Sequence, residues 1–210
     1  MQGPADRLDI VSTLYADVPV LMQDLPGDAT VWCAGRRKPD LIRAIREHRP
    51  GIRPVLIGKD RDELFLERDV LQDIPSMGFL RALDQPGWTT GLPYPVHAAS
   101  LAFRFSALHD AARIHCIGEL AEKMSRGGIL IWSDFFLPQT LELQALYLAE
   151  YARLSGEDSA DTGEFEQSFL THHPNPVLLE TAISEVYAGG FANAEIVSKR
   201  LGVAVLMARK

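Results

Sequence analysis

The sequence predicts an α/β fold: a mostly parallel sheet of seven strands, with an antiparallel last strand and helices on both faces. Short apolar runs alternate with segments of helical period along the 210 residues, which is the pattern of parallel strands joined by crossover helices. The last two apolar runs are separated by Gly202 alone. A single residue is too short for a crossover helix, so these two strands are expected to pair in antiparallel fashion.

Composition indicates one globular domain. Of the 210 residues, 47% are hydrophobic and 23% are charged, which is enough apolar material for a single core. We therefore treat residues 1–210 as one domain. Residues 1–28 are expected to form an N-terminal helical cap, and residues 137–175 a helical and loop excursion over the ligand-binding edge. The net charge of −7 argues against a broad nucleic-acid-binding surface.

Cysteine usage and hydropathy limit the location of the protein. Only two cysteines are present and they lack metal-ligand spacing, so no metal site is expected. The N-terminus has no basic segment followed by an apolar run, and no apolar run approaches the roughly 20 residues of a membrane span. We expect a cytoplasmic protein without membrane contact.

The first half of the chain is expected to hold three strands. Apolar positions in residues 6–23 predict an N-terminal helix, weakened by Pro19. A second helix begins near Pro39 and ends at Pro50-Gly51, and residues 60–73 form a polar helix or loop. The predicted strands are 29–34, 54–57 and 79–83, and a loop at 85–95 follows the last of them.

The second half is expected to add four strands, at 98–105, 129–133, 195–201 and 203–208. Helices are predicted at 110–125, 139–154 and 175–188. Asp110 is the expected N-cap of the first of these helices. The apolar stripe of helix 139–154 packs into the core by default, and a substrate pocket or a homodimer interface are its alternatives. The small and acidic residues 155–165 predict a mobile excursion.

Four segments of the second half resemble a known family. They are Ala107-Leu108-His109-Asp110, Arg126-Gly127-Gly128, Ser133-Asp134 and the ending 188–210. Together they resemble the second half of a class I S-adenosylmethionine (SAM)-dependent methyltransferase domain, and the resemblance covers residues 29–210. It implies a Rossmann-like methyltransferase fold, SAM as the cofactor and methyl transfer to a small molecule.

The cofactor-binding half departs from the family pattern. In the family, the first strand ends in a D-x-G-x-G-x-G loop, whose glycines let the backbone approach the cofactor. Alignment places Cys33 at the acidic position, Gly35 at the first glycine, and Arg37 and Pro39 at the other two. The resemblance therefore implies a degenerate loop in which Cys33 and Gly35 are cofactor-binding positions. Gly35 is alternatively an ordinary turn glycine.

Two acidic residues complete the cofactor site that the resemblance implies. The family has a ribose-binding acid at the tip of the second strand; here Gly58 or Lys59 occupies the tip, depending on the register, and Asp60 follows one or two places later. Asp84 follows the third strand and matches the acid that contacts the adenine amino group. Without an adenosyl ligand, Asp84 would be a loop-capping aspartate.

Basic side chains and one histidine near the strand ends are further candidates. The run Arg36-Arg37-Lys38 is either an anion site at a helix N-terminus or a solvated charged turn. Arg104 lies within an apolar strand and needs a partner, either a carboxylate or an anionic ligand. His109 is the candidate catalytic base, since it lies near the carboxyl end of a central strand. Its alternative is a helix-start side chain hydrogen-bonded to the backbone.

Three functions stay open at this point. They are methyl transfer to a small-molecule substrate, a catalytically inactive methyltransferase-like partner of another protein, and a repurposed cleft for an anionic ligand. Trp88 and Tyr94 either wall a ligand pocket or cover the sheet edge. His172-His173 indicate a loop or lid rather than a metal site.

Overall fold

The strands form one central sheet. The computed structural model describes residues 18–35, 37–155 and 174–210, without the side chains of 151–155. Its strands are β1 (Thr30–Gly35), β2 (Arg53–Gly58), β3 (Met77–Leu80), β4 (Val96–Ala102), β5 (Met124–Leu137), β6 (Val177–Leu178), β7 (Asn193–Arg200) and β8 (Val203–Arg209). The order across the sheet is β3-β2-β1-β4-β5-β8-β7, and β6 pairs with the end of β5 outside this path.

Strand directions agree with the sequence. β1 to β5 pair in parallel, whereas β8 is antiparallel to both β5 and β7. The predicted mostly parallel, seven-stranded sheet with an antiparallel last strand is confirmed. The two-residue β6 is an addition that the sequence did not predict, because it lies where a helix was expected to begin.

Helices cover both faces of the sheet, as predicted. They are α1 (Val18–Leu21), α2 (Lys38–His48), α3 (Arg61–Val70), α4 (Asp110–Lys123), α5 (Leu141–Ser155) and α6 (Leu179–Ala188), with a 3₁₀ turn at Phe105–Ala107. Ile42 of α2 and Leu64 of α3 are buried in the core layer on one face. Ile117 of α4 and Val186 of α6 are buried in the layer on the other face.

Several predicted boundaries are wrong. β3 ends at Leu80 rather than at residue 83, because Leu83 enters the core from a turn. β4 ends at Ala102 rather than at residue 105, because Phe103 takes a left-handed φ of 53°. β5 runs over Met124–Leu137, longer than predicted at both ends. His109, not Asp110, is the N-cap of α4.

Parts of the predicted cap and excursion lie outside the described residues. Of the predicted N-terminal helix, α1 is described and residues 1–17 are not. Residues 156–173, with His172-His173 and most of the acidic segment, are likewise outside. On α5, Leu148 is buried but Leu141 is exposed, so the predicted apolar stripe packs only in part. No helix in the described part of the chain is long and apolar enough to cross a membrane.

Candidate functional site

The sheet has a crevice where the helical connections change sides. β1 lies between β2 and β4. The helices that follow β1 and β2 pack on one face, and the helix that follows β4 packs on the other. The carboxyl ends of β1 and β4 therefore border a topological switch point, which is where open α/β sheets bind ligands.

The backbone is constrained at this crevice. Gly35 ends β1 with φ of 106°, and a Cβ there would collide with the Ala102 carbonyl oxygen of β4. Arg37 and Phe103 each have φ of 53°, a left-handed conformation that costs an L-residue about 1–2 kcal/mol. Strained backbone on two adjacent strand ends supports a functional role for the crevice.

Lys38 is buried beneath the crevice. Its side chain is 1% exposed, and Nζ donates to the Gly35 carbonyl at 2.9 Å and to Glu63 Oε1 at 2.8 Å. Glu67 Oε1 lies 3.0 Å from the same ammonium. At Lys38, therefore, the basic run is neither a solvated turn nor an anion site. Arg37 donates from Nε to Asp40 Oδ2 at 2.8 Å, and Arg36 lies outside the described residues.

Arg104 has the ion-pair partner that one interpretation required. Its Nη2 lies 3.5 Å from Glu63 Oε2, and the two side chains are 19% and 25% exposed. We call Lys38, Glu63, Glu67 and Arg104 the crevice cluster. Within the described part of the chain, the buried Arg104 Nε and Glu67 Oε2 have no hydrogen-bond partner. The cluster therefore has an unused donor and an unused acceptor.

Burial sets the electrostatics of this cluster. The pKa of Glu67 is raised because burial disfavours its charged form, and the charge and hydrogen bond of Lys38 oppose that rise. Two cations and two carboxylates balance in formal charge.

Cys33 lies in the core beneath the crevice. It is fully buried, and its β1 position pairs with Leu56 of β2 and Ser100 of β4. Burial raises the pKa of its thiol to about 12, although the nearby Lys38 charge lowers it. At neutral pH the thiol is uncharged and supplies no negative charge to a ligand.

The carboxylate of Asp60 caps a helix. Asp60 is the N-cap of α3, and its Oδ1 accepts the Glu63 N–H at 2.7 Å. Glu63 Oε2 in turn accepts the Lys59 N–H at 3.1 Å. A Cβ added at Gly58, the last residue of β2, would lie 3.3 Å from Glu63 Oε2. Glu63 therefore places a carboxylate beside the tip of β2.

Sequence reasoning missed Glu63. The signal was present in Asp60-Arg61-Asp62-Glu63, since an aspartate followed three residues later by a glutamate is a capping-box pattern. That pattern makes Asp60 the cap and turns the Glu63 side chain back toward the end of β2.

Asp84 and His109, the other two predicted site residues, lie several residues beyond the ends of β3 and β4. Asp84 is exposed in a turn, four residues past the end of β3. His109 is exposed and seven residues past the end of β4, with the 3₁₀ turn between them. Its Nδ1 accepts the Ala112 N–H at 3.3 Å, the hydrogen bond that the second interpretation of His109 expected. Its role as a base stays a prediction.

Asp134 closes the crevice on the β5 side. It is buried, and it accepts the Ser106 N–H at 2.9 Å, the Phe135 N–H at 2.9 Å and the Trp132 indole N–H at 3.3 Å. Burial raises its pKa, and the hydrogen bonds from Ser106, Phe135 and Trp132 oppose this rise. The carboxylate holds the 3₁₀ turn against the end of β5.

Trp88 and Tyr94 are separated from the crevice. Trp88 is 2% exposed and packs edge-on against Trp32, with ring centroids 5.6 Å apart, so it covers the sheet. Tyr94 borders a groove of 400 Å³ that also contacts Lys123. This groove lies near the amino end of β4, opposite to the crevice. Among the described residues, no cluster of three or more metal-ligating side chains is present.

Comparison with known proteins identifies the fold. No protein-family model and no curated protein matches the chain. The pyocyanin biosynthetic protein PhzM has a TM-score of 0.68 at 18% identity, over 96% of this chain and 56% of that protein. An O-methyltransferase family protein from Burkholderia thailandensis has a TM-score of 0.66 at 12% identity, over 95% and 56%. Human N-acetylserotonin methyltransferase in complex with SAM has a TM-score of 0.61 at 15% identity, over 99% of this chain and 56% of that protein.

These likenesses define a class of fold. The chain has the Rossmann-like fold of class I methyltransferases, which confirms the fold expected from its sequence. It spans little more than half the length of the solved proteins it matches. At these identities the likeness establishes the fold and leaves the activity to be argued from the site.

Proposed function

We propose that the protein is a SAM-dependent methyltransferase that acts on a small molecule. The observation that carries the proposal is the backbone at the degenerate loop. Gly35 and Arg37, at two of the three glycine positions of the family pattern, both have positive φ. Arg37 thus keeps a conformation that suits glycine even though it carries a side chain.

The residues at the crevice fit an adenosyl cofactor in part. Gly35 offers a backbone without a Cβ, and Asp84 offers a carboxylate beyond β3. Cys33 supplies no charge, so the ammonium partner that the family has at this position is missing. We retain Cys33, Gly35, Asp60 and Asp84 as the proposed cofactor-side positions, with the Asp60 carboxylate occupied by its helix cap.

Methyl transfer from SAM requires little from the protein beyond alignment of the acceptor. SAM supplies a methyl group on a sulfonium that leaves as a neutral thioether, so the protein must mainly orient the acceptor. His109 is the proposed proton acceptor for a hydroxyl or amine. Because its Nδ1 accepts the Ala112 N–H, it must release this hydrogen bond before that nitrogen takes a proton.

The location and assembly are also part of the proposal. The two cysteines, Cys33 and Cys116, are free and buried, which supports a cytoplasmic location. Leu141 and Leu146 of α5 are exposed, and they are the first residues to substitute in a test for a homodimer.

Calorimetric titration with S-adenosylhomocysteine tests the function. Micromolar binding, about −8 kcal/mol, is expected if the crevice holds the adenosyl group. Asp84→Asn should weaken this binding without changing the melting temperature. The matched control is Asp69→Asn, an equal change of charge on α3. Absence of binding at millimolar ligand would contradict the proposal.

Transfer of a labelled methyl group from SAM to a panel of hydroxylated aromatic compounds then tests the reaction. Label in a product is expected with the wild-type protein. If the ligand binds but every acceptor in the panel stays unlabelled, the protein binds the cofactor without this substrate class.

A further inference from the structure

Glu63 and Arg104 approach each other over the end of β1. Gly35 lies beside Ala102 of β4 and, one residue past the Ala34–Ile57 pair, beside Gly58 of β2. Arg104 follows β4 and Glu63 follows β2, so their ion pair passes from one side of Gly35 to the other. The pair occupies the crevice in which the proposed ligand would lie.

The two partners are satisfied to different degrees. Glu63 accepts hydrogen bonds from Lys38 Nζ at 2.8 Å and from the Lys59 N–H at 3.1 Å, in addition to its contact with Arg104. Arg104 reaches Glu63 through Nη2 at 3.5 Å, too far for a hydrogen bond. Its buried Nε has no hydrogen-bond partner among the described residues.

Two donors of Arg104 form one edge, and of these Nε is unpartnered among the described residues whereas Nη2 has only the loose contact with Glu63. Nε–H and one Nη2–H of a guanidinium point in the same direction and bind a carboxylate with two parallel hydrogen bonds. Glu63 does not use this geometry, because its oxygens are already committed to Lys38 and Lys59. A carboxylate from outside the chain would bind this edge better than Glu63 does.

We propose that Glu63 is an internal competitor, whose carboxylate blocks the Arg104 edge in the ligand-free protein and is displaced by the carboxylate of the bound ligand. This inference rests on the proposed function, since S-adenosylhomocysteine carries such a carboxylate. Lys38 keeps the Gly35 carbonyl and Glu67 as partners during the exchange. The loop after β1 is therefore held in place while Arg104 changes partner.

Two ligands that differ in their amino-acid end test the exchange. S-Adenosylhomocysteine has a carboxylate, whereas 5′-methylthioadenosine has the same adenosyl group without it. Glu63→Gln should tighten S-adenosylhomocysteine about fivefold, the value of a partly exposed ion pair, and leave methylthioadenosine unchanged. Arg104→Met should reduce the affinity for S-adenosylhomocysteine toward that for methylthioadenosine. Asp73→Asn, which removes an exposed carboxylate paired with Arg43, is the matched control and should change neither.

The competitor role predicts that the two variants change the affinity for S-adenosylhomocysteine in opposite directions. If Glu63→Gln weakens S-adenosylhomocysteine, or tightens both ligands equally, the competitor role is wrong even though the protein binds the cofactor product. If neither ligand binds the wild type or Glu63→Gln, the proposed function itself fails. Melting temperatures of the unliganded variants, compared with the wild type, show whether each substitution leaves the protein folded.

Discussion

A buried ion pair and a partly buried one in this protein use arginine differently. Arg113 of α4 is fully buried and binds Glu185 of α6 through two hydrogen bonds, Nε to Oε2 at 2.6 Å and Nη2 to Oε1 at 2.8 Å. Its Nη1 donates to the Leu108 carbonyl at 3.0 Å. Arg104 in the crevice cluster has a loose contact at 3.5 Å and an unpartnered Nε among the described residues.

The difference shows that Arg113 stabilises the fold and that Arg104 is available to a ligand. Every nitrogen of Arg113 has an acceptor, so no outside group would improve its position. Buried polar atoms are nearly always satisfied in folded proteins, and an exception calls for an explanation. The unpartnered Nε of Arg104 is such an exception, and it lies at the switch point of the sheet. Arg113 is fully buried with all its donors used, whereas Arg104 is 19% exposed and has an unpartnered Nε among the described residues, so both burial and hydrogen bonding separate the two arginines.

The largest expected effect follows from breaking the Arg113 pair. Arg113→Met should lower the free energy of unfolding by about 3–5 kcal/mol, because Glu185 is left buried and unpaired. Arg104→Met should lower it by no more than about 1 kcal/mol. Urea denaturation of both variants measures the difference. Equal losses would remove the distinction between the two groups, and adding Glu185→Leu to Arg113→Met should recover most of its loss.

A smaller effect is expected at Lys38. Lys38→Met leaves the Gly35 carbonyl without its donor and Glu63 close to Glu67 without a shared cation, at a cost of about 2–3 kcal/mol. Loss of the Lys38 charge raises the pKa of Glu67 further in the folded state, because that charge now opposes the rise caused by burial. The destabilisation should therefore be larger at about pH 8 than at about pH 5. An exposed control, Lys199→Met, should show no such dependence, and a pH-independent loss would argue against charge as the cause.

The smallest effect concerns the titration of Glu67. Its folded pKa lies above the ordinary value of 4.5, mainly because of burial. As the pH rises past 4.5, the unfolded carboxyl ionises first, so the contribution of Glu67 to stability falls until the pH exceeds the folded pKa. Glu67→Gln should abolish this fall. Urea denaturation across that range, with the exposed Glu195→Gln as the control, checks the sign.

Much of the fold follows from local patterns in the sequence. Alternating apolar runs predicted the parallel strands, and the single Gly202 between the last two predicted their antiparallel pairing, because both signals depend on near neighbours in the chain. The errors fall where a residue leaves the expected backbone conformation. Phe103, with its left-handed φ, ends β4 early, and no property of a phenylalanine in an apolar run predicts that backbone conformation.

The site was harder to predict because its partners are distant in sequence. Lys38 stood in a basic run, and its burial depends on Glu63, which is 25 residues away. The thiol of Cys33 is uncharged because of burial by the folded core, which alignment does not reveal. Asp60 was identified from its place after β2, whereas the capping hydrogen bond commits its carboxylate to α3. His109, Gly35 and Asp84 stay predictions as site residues.

The placement of the tryptophans determines which part of the protein its intrinsic fluorescence monitors. Trp32, Trp88 and Trp132 are the three tryptophans of the chain, and all lie in the core layer beneath α4 and α6. Intrinsic fluorescence therefore follows that layer, which contains the Arg113 pair, and not the layer beneath α2 and α3. Circular dichroism records the helices of both layers. An unfolding transition that appears earlier by circular dichroism than by fluorescence would show that the helices beside the crevice open before the rest of the domain.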